Sequence, residues 1–259
     1  LLVSALRCAT PALADAAGDR WMHHVKVLAD DNMEGRLTGT AGYDRAAAYV
    51  AQEFRKLGLK PAGTDGYLQP VALTEQSLDL GASRLALGGQ PLMLGEQVLP
   101  GTRVQQMKGP FDAELVFIGS GLHLPESGHD DFAGIDLKGK IAVVLASGPK
   151  RLSGALKSHA RSAELWPAMS RAGAIGLINI ANPNQMDVPW ARQKLFASTP
   201  GMRLADPALN DAKQPFFTAT FSPAEAELLF AKSGHSFADM VKLADAGEAL
   251  PRFALNQRL

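Results

Sequence analysis

Apolar residues recur at helical spacing in the first part of the chain. One face of a predicted helix over residues 19–29 carries three of them, Trp21, Val25 and Leu28. A second helix is predicted over residues 43–57, and its apolar face carries Ala46, Val50, Phe54 and Leu57. Gly58 follows directly, at a position where helices commonly end. Two helices of this size cannot bury both faces alone, so we expect another layer to cover them.

From about residue 76 the pattern changes to short strand-like runs separated by turn residues. The predicted strands are 84–87, 114–118, 141–145, 174–180, 216–220 and 252–255. The run Ile141–Leu145 is apolar throughout, which is typical of a strand buried on both faces. Helices are predicted over residues 163–171, over 222–234 behind a capping-box pattern of Ser222 and Glu225, and over 236–247. Together these elements predict a mixed α/β (α+β) fold.

The composition is typical of a globular protein and gives no sign of a strongly charged partner. Of the 259 residues, 46% are hydrophobic, which is enough to build a core, and the formal net charge is +0 with 26 basic and 26 acidic residues. That balance gives no sign of nucleic-acid or anionic-membrane binding. No later apolar run reaches the ~18 residues that a transmembrane helix needs.

The first residues resemble the end of a secretory signal peptide. Leu1–Leu6 is largely apolar, and Pro11–Ala14 ends in the small-x-small pattern that signal peptidase accepts. We therefore expect residues 1–14 to be a signal remnant and the mature protein to be secreted or periplasmic. An amphipathic N-terminal helix is the alternative. Cys8 is the only cysteine and would leave with the signal, so no disulfide is expected.

Two stretches resemble known families. Residues 28–71 resemble the N-terminal helical segment of metallopeptidase family 28, the secreted di-zinc aminopeptidases. The matching positions are Leu28, Ala29, Asp31, Gly35, Arg36, Gly39 and Gly42, followed by Leu57, Gly58, Leu59 and Pro61. Residues 131–144 and 172–178 resemble the core of a protease-associated (PA) domain, including Lys138-Gly139-Lys140 before a buried strand. A PA domain inserted after the first helices occurs in a large branch of that family.

The resemblance implies a domain plan and an activity for a longer protein. Residues 15–75 would be the helical segment of the peptidase domain, and residues 76–259 a PA-domain-like, β-rich core with flanking helices. The catalytic domain, with two zinc ions, would follow Leu259 and pack on residues 19–71. It would release N-terminal residues from a peptide or protein substrate. The chain itself is expected to lack catalytic and metal-binding residues and to be inactive alone. The alternative is a stand-alone PA-type protein-binding module without catalysis.

The loop between the two predicted helices supplies the candidate site residues, Glu34, Arg36 and Thr38. Two roles are open for them. In the structural role, Arg36 fixes the loop through bonds to backbone carbonyls. In the functional role, the loop lines the edge of the peptidase cleft. We predict no metal ion at His129-Asp130-Asp131, which matches His-x-Asp by letter but precedes a strand, and we expect His123 and His129 to be solvated. Ser147 to Lys150 matches Ser-x-x-Lys, yet Gly148 and Pro149 predict a loop.

Overall fold

The computed structural model describes residues 12–259, and the chain divides into two compact units between Val71 and Ala72. We call them the helical unit, which ends at Val71, and the sheet unit, Ala72–Leu259. Residues 1–11 of the predicted signal segment lie outside the described residues. No helix within residues 12–259 is long and apolar enough to cross a membrane.

Two α-helices and a 3-10 helix build the helical unit. Helix α1 is Ala12–Leu28, the 3-10 helix is Asp31–Arg36, and helix α2 is Ala41–Lys56. Thr40 caps α2, where its hydroxyl accepts a hydrogen bond from the Tyr43 N–H at 3.4 Å. The two α-helices also share a bond of 2.6 Å between His24 Nδ1 and the Tyr49 hydroxyl. The predicted helix pair is therefore present.

The sheet unit contains twelve strands and five short α-helices. The strands are β1 Leu73–Gln76, β2 Ala86–Leu87, β3 Gln90–Pro91, β4 Val98–Pro100, β5 Glu114–Phe117, β6 His123–Leu124, β7 His129–Asp130, β8 Ile141–Ala146, β9 Gly176–Ala181, β10 Gly201–Leu204, β11 Phe217–Phe221 and β12 Phe253–Arg258. The helices are α3 Gly154–His159, α4 Leu165–Arg171, α5 Trp190–Gln193, α6 Glu227–Phe230 and α7 Phe237–Ala246.

Six of these strands form one sheet in the order β12-β5-β8-β9-β11-β4. The inner strands β5, β8, β9 and β11 run parallel, and the edge strands β12 and β4 are antiparallel to their neighbours. Ile141–Leu145 lies in the middle and is buried on both faces, as its unbroken apolar run predicts. The predicted mixed α/β class is confirmed.

Helices cover both faces of this sheet. On one face, Phe230 of α6 and Met240 of α7 pack in a cluster with Phe117 and Val143. On the other face, Met169 of α4 packs in a second cluster with the alternate β-strand residues, such as Ala142. The alternation of side chains along each strand thus divides the core into two layers.

Two local predictions change in the structure. The helix predicted over 163–171 begins only at Leu165, because its first two residues belong to a π-helical turn over Ala160–Glu164. Pro167 has no N–H to donate to the Ala163 carbonyl, which favours this wider turn. The capping box at Ser222 is wrong. The Ser222 N–H, which Glu225 would have to accept, already donates to the Gln97 carbonyl at 2.8 Å, while the Glu225 carboxylate accepts from the Gln97 side chain.

Candidate functional site

The loop that carries the candidate residues is built by the polar residues at its start and by one buried anchor. Asp30 opens it, with a carboxylate oxygen that accepts from the Asn32 N–H at 3.0 Å. Met33 is 7% exposed and is the buried residue of the 3-10 helix. The Thr40 hydroxyl closes the loop by donating to the Leu37 carbonyl at 2.7 Å. Both ends of the loop are therefore tied to its own backbone.

Three consecutive residues in this loop adopt left-handed backbone conformations. The φ angles are 50° at Glu34, 73° at Gly35 and 57° at Arg36. A side chain in this region costs roughly 1–2 kcal/mol per residue, because Cβ crowds the backbone carbonyl. Only three non-glycine residues within 12–259 have a positive φ, and two of them are Glu34 and Arg36. Such strain persists where the surrounding structure imposes it, and it is concentrated at functional sites.

The backbone conformation explains why glycine stands at three positions of the sequence pattern. Gly35 and Gly39 have φ angles of 73° and 81°, which favour glycine. At Gly42, in the first turn of α2, a Cβ atom would lie only 2.1 Å from the Met33 carbonyl oxygen. The first turn of α2 therefore packs directly on the strained loop, and no residue with a side chain fits there.

The three predicted site residues are all exposed on this loop. Glu34 forms an ion pair with Arg45 of α2, with 2.9 Å between Oε2 and Nη2. Both partners are exposed, so the pair contributes little to stability. Among residues 12–259 the Arg36 side chain has no hydrogen-bond partner. The loop thus presents the exposed Arg36 guanidinium and the Thr38 hydroxyl on a backbone held in a strained form.

Replacing Glu34 with glycine is expected to stabilise the helical unit by about 1 kcal/mol. Glycine relieves the left-handed strain, and the exposed ion pair that is lost contributes less than the strain costs. Hydrogen exchange of the α2 amides in this chain would measure the change. A matched Glu53→Gly variant, in the regular helix α2, should instead destabilise it by about 1 kcal/mol. A loss of protection in Glu34→Gly would mean that the Glu34 side chain itself fixes the loop.

A second group of candidate residues lies on the β6–β7 hairpin and just after it. His123 Nδ1 lies 3.0 Å from Asp130 Oδ1, and His129 Nε2 lies 3.1 Å from Asp131 Oδ1. His129 and Asp131 are only 8% and 3% exposed, so the expectation that both histidines are solvated is wrong for His129. The hairpin folds back on the chain after β5. There the Asp131 N–H donates to the Leu122 carbonyl, and the Asp131 carboxylate accepts from the Leu122 N–H, both at 2.9 Å.

The two carboxylates of this hairpin have opposite electrostatic surroundings. Burial raises the pKa of Asp131, and the Leu122 N–H and the charge of His129 offset that rise only in part. Burial also acts to raise the pKa of Asp130. There, however, the bonds from His123 and from the Phe132 N–H, with the charges of His123 and Arg252, prevail and lower it. His129 Nε2 is buried and has no hydrogen bond of regular geometry, although Asp131 is within ion-pair distance.

These side chains do not fit a zinc site. Zinc requires three or four histidine, cysteine or carboxylate ligands that converge on one point. In the described part of the chain, no group of three or more such side chains could hold a metal ion. Here His123 faces Asp130, while Asp131 faces His129 and the Leu122 N–H. The side chains face one another in separate pairs and do not converge on one point, so no chemical step through zinc is assigned to this chain.

The Ser-x-x-Lys match also has a structural explanation. Ser147 to Lys150 is a loop after β8, and the Ser147 hydroxyl is buried against the Ser120 hydroxyl at 2.9 Å. The Lys150 N–H donates to the Gly247 carbonyl at 2.9 Å. A Ser–Lys catalytic pair needs the two side chains one helical turn apart on a helix, which this loop does not provide.

One cleft was not predicted from the sequence. It lies in the sheet unit, has a volume of about 360 Å³, and is lined by Arg103, Trp166, Arg203 and Lys213 among others. Its two arginines are separated by a hundred positions in the chain and belong to no motif. The cleft depends on the pairing of β1 with β10, and the sequence pattern gives no signal for that pairing.

Comparison with known proteins gives structural similarities only. No protein-family model and no curated protein matches the chain. The chain is similar in structure to the aminopeptidase from Aneurinibacillus sp. strain AM-1, with 17% identity, a TM-score of 0.37, and coverage of 90% of this chain and 45% of that one. It is also similar to BSAP, a zinc aminopeptidase from Bacillus subtilis, with 18% identity, a TM-score of 0.34, and coverage of 91% and 45%. The chain thus spans less than half the length of these aminopeptidases.

Proposed function

We propose that this chain is the N-terminal and PA-domain part of a secreted zinc-dependent aminopeptidase of metallopeptidase family 28. Residues 15–75 are the helical segment of the peptidase domain, and residues 76–259 are the PA domain, which binds substrate or partner chains. The observation that carries the proposal is the strained loop at Glu34–Arg36. The family-like glycines at 35, 39 and 42 are those that its backbone requires, and its exposed side chains suit the edge of a cleft.

The apolar faces of α1 and α2 support the second part of the proposal, a catalytic domain packed on residues 19–71. Trp21 is 64% exposed, Phe54 41% and Leu57 74%. Covering a large apolar side chain contributes about 1.5–3 kcal/mol, so a row of them on paired helices favours a partner surface. In the proposal that surface belongs to the catalytic domain that contains the two zinc ions. This chain supplies only the scaffold and the loop.

A stand-alone PA-type binding module is the second candidate function. The observation that favours it is the sheet unit itself, whose six-stranded sheet is covered by its own helices on both faces. A unit with its own buried core can fold by itself, as a stand-alone binding domain must. In this hypothesis the protein has no catalytic activity at any length.

The complete gene product that contains this chain distinguishes the two functions. We expect it to hydrolyse leucine p-nitroanilide and to lose at least about 10³-fold of that rate with a zinc chelator, because a di-zinc enzyme depends on its metal-activated water. Adding zinc back should restore the rate. Arg36→Ala in that protein should reduce kcat/KM by about tenfold, with Arg171→Ala, at an exposed arginine outside residues 19–71, as the control. No metal-dependent hydrolysis in the complete protein would overturn the peptidase proposal and favour the binding module.

A further inference from the structure

Two arginines, Arg103 and Arg203, line the 360 Å³ cleft of the sheet unit. Arg103 follows the edge strand β4, and Arg203 lies on β10, where it pairs in register with Thr74 of β1. Between residues 12 and 259, neither guanidinium has an acidic group within ion-pair distance or any hydrogen-bond partner. The Nε atom of Arg203 is buried without a partner. A buried donor without a partner destabilises the protein by its desolvation penalty, and a bound acceptor would remove that penalty.

The backbone around the two arginines is firmly held. A Cβ atom at Gly201 would lie 2.2 Å from the Thr102 carbonyl oxygen, so the start of β10 runs directly against the segment that leads into Arg103. Gln76 of β1 crosses the same segment and donates from its side-chain amide to the Val104 carbonyl at 3.1 Å. The cleft is therefore pre-formed by packed backbone, which reduces the ordering cost of binding.

The charge of the cleft is positive in a chain whose formal net charge is +0. Its lining includes three cationic residues, Arg103, Arg203 and Lys213, and one acidic residue, Asp211. Guanidinium groups recognise carboxylates through paired N–H donors, and they do so best where water is partly excluded. The lining thus favours an anionic group that carries acceptor oxygens.

Apolar surface continues from the cleft in one direction. Arg103, Val104 and Trp166 also line a neighbouring groove of about 490 Å³, which reaches Phe196 across β11 and β4. Phe196 is 60% exposed, and Trp166 is half-buried beside Phe216, with 5.2 Å between the ring centroids. A free phosphate or a small acid would fill only the first cleft. An extended chain could occupy both.

We propose that this pair of clefts binds an extended acidic peptide segment, with a glutamate or aspartate side chain on Arg103 and Arg203 and a neighbouring apolar side chain between Trp166 and Phe196. The choice of a peptide rather than another carboxylate rests on the proposed function. It deepens that function by giving the PA-like part a preference for acidic chains. The site is separate from the Glu34–Arg36 loop in sequence and chemistry.

Titration of this chain with a blocked peptide tests the proposal. The probe is acetyl-Ala-Leu-Glu-Phe-Ala-amide, and its control replaces the glutamate by glutamine. Binding is followed by calorimetry and by the fluorescence of Trp166, with a Trp166→Phe variant to assign the signal. We expect the glutamate peptide to bind at least about tenfold more tightly than the glutamine peptide, because a charge-assisted bond to a buried donor is lost in the control. Higher salt should weaken the glutamate peptide only.

Variants of the arginines define the site. Arg103→Gln and Arg203→Gln should each weaken the glutamate peptide about tenfold, while Arg171→Gln, at an exposed arginine at the end of α4, should leave it unchanged. Arg103 is exposed, so its variant should fold even if Arg203→Gln does not. Equal binding of both peptides, or none, would overturn the proposal and would leave the hydrolysis assay of the complete protein unaffected. Full displacement by inorganic phosphate, with no contribution from the leucine or phenylalanine, would show a simple anion site and would also overturn it.

Discussion

Replacing Gly42 with alanine is expected to destabilise the helical unit by about 3 kcal/mol. The new Cβ atom would lie 2.1 Å from the Met33 carbonyl oxygen, which is backbone and cannot rotate away. Either α2 must move from the loop or the loop must leave its left-handed conformation. Hydrogen exchange of the amides in Ala41–Lys56 would measure the loss directly, because it reports the opening of α2 separately from that of the sheet unit.

The matched control is Gly18→Ala in α1. No atom lies within 4 Å of a Cβ built at Gly18, so alanine there should stabilise α1 by up to about 1 kcal/mol through helix propensity alone. Opposite effects of the same substitution at two helical glycines would isolate the close approach at Gly42 as the cause. Unchanged protection of α2 in Gly42→Ala would mean that the loop adapts without cost and that Gly42 is not required by the fold.

Replacing Asp131 with alanine is expected to lower the free energy of unfolding of the sheet unit by about 3 kcal/mol. The change leaves the Leu122 N–H without its acceptor at 2.9 Å and removes the acidic partner of the buried His129 ring. Urea unfolding followed by circular dichroism would measure it. Asp187→Ala, at an exposed aspartate in a loop, should change the same free energy by less than about 0.5 kcal/mol. Similar midpoints for the two variants would contradict the structural role assigned to Asp131.

The pH dependence of the same free energy gives a second test of Asp131. Because burial raises its pKa above the ordinary 3.8, the folded state retains a proton that the unfolded state releases. This group therefore makes the free energy of unfolding fall as the pH rises from about 3.8 through the raised pKa. Asp131→Asn should remove that fall. Asp130, whose pKa is lowered, acts in the opposite sense, and its contribution is lost only as the pH falls below 3.8. A profile unchanged in Asp131→Asn would contradict the assignment.

Several features of this protein were determined by the sequence alone. The unbroken apolar run Ile141–Leu145 predicts a strand covered on both faces, and β8 is one. The spacing of Val50 and Phe54 predicts a helix with an apolar face, and α2 presents both on its exposed surface. Glycines at 35, 39 and 42 indicate a loop whose backbone adopts conformations that favour glycine. Each of these signals is local, because periodicity and backbone freedom are properties of neighbouring residues.

The tertiary structure alone decided the features that depend on contacts between distant residues. The capping box at Ser222 failed because Gln97, far away in the chain, accepts the N–H that the motif requires. His129 is buried because the β6–β7 hairpin folds back on the end of β5, and nothing in its polar neighbourhood in sequence predicts this. Arg103 and Arg203 line one cleft because β10 pairs with β1 beside the segment after β4. Hydrogen-bond competition, burial and convergence of charge arise only when separate segments pack, so a pattern along the chain cannot specify them.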